Sequence, residues 1–171
     1  MKCVKIIPIS SNPFDNQILI NRAMFEIENN NKVHFIPELC KGIDPYKFML
    51  TYDYDPDGVG VASPTFGVRV IEGSEDMQET EDRLNCAIRD LVLSRNKSFI
   101  NISRVSEFIY IIFFEYKAGS FPIIRIRNSI YDCGNSSTYL SRTLQDLEEK
   151  DGIVPYDCFN IDPEHIMYLC I

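Results

Sequence analysis

Apolar and polar positions recur in one order three times along the chain. The segments Val4–Ile27, Val68–Leu91 and Ile124–Leu147 align without a gap. Each opens on an apolar–basic–apolar triplet: Val4-Lys5-Ile6, Val68-Arg69-Val70 and Ile124-Arg125-Ile126. That alternation is the mark of a half-buried strand. Further on, each segment carries an octet: Ile20–Ile27, Leu84–Leu91 and Leu140–Leu147. Apolar residues fill its first, fifth and eighth positions, which lie on a single helix face. The seventh is acidic each time, as Glu26, Asp90 and Asp146. Between strand and helix stand Asn12, Asp76 and Asp132, whose side-chain oxygens suit the free N–H groups of a first helical turn. Pro13 fits the first helical position. Glu79 completes a capping-box spacing from Asp76. Gly134 weakens the third first turn, which moves that predicted helix start to Ser136 or Ser137.

After each helix the pattern predicts two strands. They are Val33–Leu39 and Phe48–Tyr54, then Phe99–Val105 and Phe108–Lys117, then Val154–Ile161 and His165–Ile171. Their β-branched and aromatic residues favour extended chain. Identity between the copies is low, so the shared spacing carries the repeat. The links Asp55–Gly67 and Ala118–Pro122 are too short to be tethers. The expected fold class is therefore α+β: three tandem β-α-β-β repeats, at 1–57, 66–117 and 122–171, forming one pseudo-three-fold domain over 1–171. The helices are expected on one face of a mixed or antiparallel sheet. The first and second strands of a unit are expected to run parallel through a crossover, and the second and third to form a hairpin. An alternative has two copies sharing a sheet and the third packing apart. The element order is similar to that of the dodecin flavin-storage proteins. Those stack flavin on Trp, and this chain has no Trp, so the similarity brings no flavin with it.

Charge narrows the function classes. The 171 residues include 17 Lys and Arg against 25 Asp and Glu, for a net charge of −8. An acidic surface repels nucleic-acid phosphates and suits a basic protein partner. No apolar run approaches the ~20 residues of a membrane span, and the opening Met1–Pro8 does not read as a signal peptide. Cys3, Cys40, Cys86, Cys133, Cys158 and Cys170 form no CxxC pair and do not recur with the repeat. They read as reduced thiols without disulfides, which with the missing signal points to the cytoplasm.

Candidate chemistry is sparse. The basic column Lys5, Arg69 and Arg125 is the most suggestive feature. Strand alternation predicts these side chains away from the helix-facing residues, where convergence would make an anion site. Arg22 and Arg142 match one another in the octets, with Cys86 between them in the series. The alternative is that each cation pairs with a nearby acid. Asp53-Tyr-Asp55-Pro-Asp57-Gly58 opens like a calcium loop, yet Pro64 stands where the bidentate Glu belongs, and a Pro-Asp-Gly turn explains it. His34 and Cys40 are too far apart along an extended strand to act as a nucleophile pair. No metal, cofactor or catalytic motif is expected, and an enzyme built on His34, His165 or Cys40 has no local support. The acids Glu72, Glu75, Asp76, Glu79, Glu81 and Asp82 suit a helix start.

The pattern therefore predicts a non-catalytic binding protein: an inhibitor, adaptor or assembly component. It would act through an acidic surface or an exposed sheet face, on a protein partner or on further copies of itself. The alternative is a binder of an anionic small molecule, such as a nucleotide, between the repeats. In the aromatic hairpins one alternate set is expected to be core and the other, if uncovered, a surface for self-association.

Overall fold

The structure is a computed structural model and describes residues 1–94, 96–117, 125–130, 136–150, 152, 154–162 and 165–170. It is α+β, with three α-helices among the described residues. The first segment contains β1 (Lys2–Pro8), α1 (Pro13–Asn30), β2 (Lys32–Phe35), a 3-10 turn (Pro37–Leu39), β3 (Lys41–Asp44) and β4 (Lys47–Asp55). The second contains β5 (Phe66–Glu72), α2 (Met77–Leu93), β6 (Ser98–Ser106) and β7 (Ile109–Glu115). The third contains β8 (Arg125–Ile130), α3 (Ser136–Glu149), β9 (Pro155–Asp162) and β10 (His165–Cys170).

Local chemistry explains the helix starts. The Asn12 side chain accepts the Phe14 and Asp15 N–H groups at 3.0 and 3.3 Å. Asp76 accepts those of Gln78 and Glu79 at 2.8 and 3.3 Å. The third cap, Asp132, lies outside the described residues. A second device fixes the loop before each of the first two helices. Ser10 donates its N–H to Asn16 and receives the Asn16 amide on its carbonyl. Ser74 donates its N–H to the Thr80 hydroxyl, which donates back to the Ser74 carbonyl.

The strands form separate sheets, ordered β1-β4-β2 with β3 also on β4, then β5-β7-β6, then β8-β10-β9. All pairings are antiparallel. The last strand of each segment lies between the first and second. Those two therefore run in the same direction without touching, rather than as parallel neighbours, and the hairpins form as expected. The first segment departs most from the pattern. Its second strand stops at Phe35, and the chain turns through Pro37–Leu39 into an extra strand, β3.

The second sheet is covered on both faces. Phe66, Val68, Val70, Ile109, Ile111 and Phe113 join α1 and the first sheet in one core. Tyr110, Ile112 and Phe114 face Leu84, Ile88 and Leu91 of α2 in another. A strand buried on both sides has no polar face to show, which is why β7 reads as the unbroken run Ile-Tyr-Ile-Ile-Phe-Phe. The second aromatic face of this hairpin is thus covered rather than open. Helices alone do not cover the sheets, because the front of the first sheet packs, with α1, on the back of the second.

Candidate functional site

The basic column sits where its own helix lies. In the first sheet Lys5 is opposite Leu50 and shares a face with Ile7 and Phe48, all part of the core under α1. In the second, Arg69 is opposite Ile112 and reaches Asp90 of α2 at 3.6 Å. Both cations therefore point toward the helix side, against the orientation expected from alternation. The reason is that Val4 and Ile6, like Val68 and Val70, point to the back of the sheet. That back is an apolar contact surface wherever a neighbouring unit covers it. The acid at octet position seven explains the column: Asp90 pairs with Arg69, and Glu26 lines one open groove with Lys5. That groove, of about 230 Å³, is completed by Ala23, Ile27, Asn30 and Tyr52. Arg22 and Arg142 are exposed on their helices. The Arg125 side chain lies outside what is described.

Other candidates resolve as structure. Asp53 pairs with Lys2 and Asp55 with Lys32, and the Asp55 side chain and carbonyl close the turn onto Asp57 and Gly58. Cys40 is buried, with its thiol against the carbonyl of Ile36 and the N–H of Thr51. Burial, more than any other influence, pushes this thiol up to about 11, so it is not a nucleophile near neutral pH. His34 is exposed, edge-on to Phe66. Among the described residues no group of three or more His, Cys, Asp or Glu could hold a metal ion. Cys3, Cys40 and Cys86 are free thiols. No described helix is long and apolar enough to cross a membrane. A second groove, of about 390 Å³, brings Glu72 and Glu107 together with Ser10, Ser11 and Tyr46. Its charged residues are acids only, which disfavours an anion there.

The feature that stands out is an edge, and the polar residues that cover it went unread in the sequence. Strand β5 is the outer strand of its sheet, and its open hydrogen-bonding edge is capped by α1. Asn21 donates to the Val68 carbonyl at 2.9 Å and accepts the Val68 N–H at 2.8 Å. Gln17 accepts the Val70 N–H at 3.0 Å, and Glu28 accepts the Thr65 N–H at 3.0 Å. Gln17, Asn21, Met24 and Glu28 thus form one stripe, with Met24 buried among them. Glu28 is buried too, and burial raises its carboxyl above the ordinary range despite the opposing hydrogen bonds from Thr65 and Phe66. The α2 helix packs on β8 in its turn. At the positions of Gln17 and Asn21 it carries Glu81, which is buried, and Asn85, which is half-buried. The one sequence signal was Asn at octet position two in both copies.

Among the described residues strand β1 has no such cover. Its residues Val4 and Ile6 are 56% and 43% exposed, where the matching Val68 and Val70 are 1% and 8% exposed. At the other end of the chain, Leu144 of α3 is 37% exposed, where the matching Met24 and Ile88 are fully buried. Compared with family models, curated proteins and solved structures, the chain gives no match. The reading of the site therefore rests on its geometry.

Proposed function

We propose that the chain is three diverged copies of one β-α-β-β unit and that it works as a non-catalytic binding protein. It acts through the exposed back of its first sheet, as an assembly component, adaptor or inhibitor. Shared hydrogen bonds support the repeat. The Ser10–Asn16 pair recurs as Ser74–Thr80 at the aligned positions. The bonds Ile9 N–H to Tyr46 and Tyr54 N–H to Met1 recur as Gly73 to Phe108 and Tyr116 to Thr65.

The observation that carries the binding reading is the exposure of Val4 and Ile6. Their partners in the second unit are core residues that hold two units together. The same surface left open is a prepared contact, ringed by the pairs Lys2–Asp53 and Lys47–Asp44. Native mass spectrometry of the protein from its own host tests this. The wild type is expected to carry a bound protein chain, and Ile6→Lys is expected to lose it while melting at the same temperature. Equal binding by the wild type and Ile6→Lys would remove this surface from the account.

One observation favours the second reading, an anionic small molecule: the groove beside Lys5. Glu26 opposes an anion there, and Arg69 is already paired with Asp90. Lys5→Ala should abolish nucleotide binding if this reading holds, and leave protein binding untouched if it does not.

A further inference from the structure

We infer that β1 receives the α3 face of a second copy of this chain, so that copies join head to tail. The inference rests on the proposal that the first sheet presents a binding surface, and it names the partner.

The joint in question has one fully described example inside the chain, and a second helix and strand placed in the same way. In α1 on β5 the earlier unit lends a helix stripe and the later unit a strand edge, and α2 lies against β8 in the same order. Among the described residues these two placements leave one strand edge and one helix stripe exposed. Those are β1 and α3. Each keeps the parts a joint needs. Val4 is opposite Thr51, whose own N–H and C=O turn toward Cys40 and Ile36. The Val4 pair is therefore not hydrogen-bonded to its neighbour, and its N–H and C=O point out of the open edge. Val68 offers the same two groups to Asn21.

On α3 the positions of Asn21, Met24 and Glu28 are held by Ser141, Leu144 and Glu148, all exposed. A serine hydroxyl both donates and accepts, as the joint requires. Charge agrees as well. Strand β1 carries Lys5, besides Lys2 paired with Asp53, while the last turns of α3 expose Glu148 and Glu149, besides Asp146 paired with Lys150. Within one chain both surfaces stay exposed, so α3 does not close onto its own β1. Pairing two β1 strands about their centre would set Lys5 against Lys5, a repulsive cross-strand pair. A joint of unlike surfaces closes into a ring or grows into a chain of copies.

Sedimentation of the full chain over a wide concentration range tests the inference, with Val4→Lys and Leu144→Glu as variants. Both positions are exposed, and melting temperature checks that each variant folds; Ile6→Lys substitutes for Val4→Lys if needed. The wild-type mass is expected to rise above the 19.8 kDa of one chain. Each variant alone should stay at that mass. Their equimolar mixture should give a two-chain species and nothing larger, because one keeps its α3 face and the other its β1 edge. A Leu144→Glu protein that associates like the wild type would overturn the inference. So would a wild type that is monomeric throughout. If that monomer binds another protein and loses it with Val4→Lys, self-association falls and the binding surface stands. If Val4→Lys binds as the wild type does, both fall.

Discussion

Strands β1 and β5 begin from nearly the same triplet, Val-Lys-Ile and Val-Arg-Val, and end in opposite environments. The second is sealed by an amide stripe on one side and by a neighbouring sheet at its back. The first is open on both. The difference lies in what packs on each strand: α1 and the first sheet lie against β5, and no described element takes that place at β1. An identical local pattern thus codes for core in one place and surface in another. What lies against the strand decides which.

Substitution at the matched valines should separate the two environments most sharply. Val68→Lys buries a charge with no partner and is expected to cost more than about 4 kcal/mol, the range of exceptional single changes. Val4→Lys should change the stability of the dilute chain by no more than about 0.5 kcal/mol. Urea denaturation of both variants reads the contrast. Similar losses at the two positions would mean that β1 is covered after all.

The caps should show a smaller contrast of the same kind. Asn21→Ala leaves the Val68 N–H and C=O without partners and should cost about 2–4 kcal/mol. Ser141→Ala, at the matching exposed position, should cost less than about 0.5 kcal/mol in dilute solution.

Glu28 adds a pH signature. Its folded carboxyl binds protons more tightly than the unfolded one, whose ordinary value is 4.5. Its contribution to stability is therefore full below that value and is lost as pH rises through the higher folded value. Glu28→Gln should flatten this part of the stability profile. Denaturation midpoints between mildly acidic and neutral pH give the comparison. The smallest effect belongs to the ion pair Arg69–Asp90, which is partly exposed; Asp90→Asn should cost at most about 1 kcal/mol by the same assay.

Much of the fold is written in short-range signals. Asn12 and Asp76 announce their helices, the octets mark the buried helix faces, and Ser136 starts α3 where Gly134 made an earlier start costly. Features that depend on a neighbouring unit are not written locally. Gln17 and Asn21 look like solvent-facing helix residues until a strand edge is placed against them. Val4 and Ile6 look like the helix side of a strand because nothing nearby says that the back of the sheet is apolar too. The same ambiguity turned Lys5 and Arg69 the wrong way. Strand β3 was missed because the expected strand Val33–Leu39 runs through Pro37, where the chain in fact turns; Gly42 is where β3 presses on β6. A Cβ there would stand 2.8 Å from the Val105 carbonyl oxygen.

The central claim is that β1 is an open copy of the edge that β5 has closed. Amide hydrogen exchange across the two strands, followed by mass spectrometry from low to high protein concentration, tests it most directly. The Val68 and Val70 amides should be protected at every concentration. Those of Val4 and Ile6 should exchange fast in dilute protein and slow as concentration rises. Protection of Val4 equal to that of Val68 at the lowest concentration would show an edge already covered within one chain, and would contradict the account.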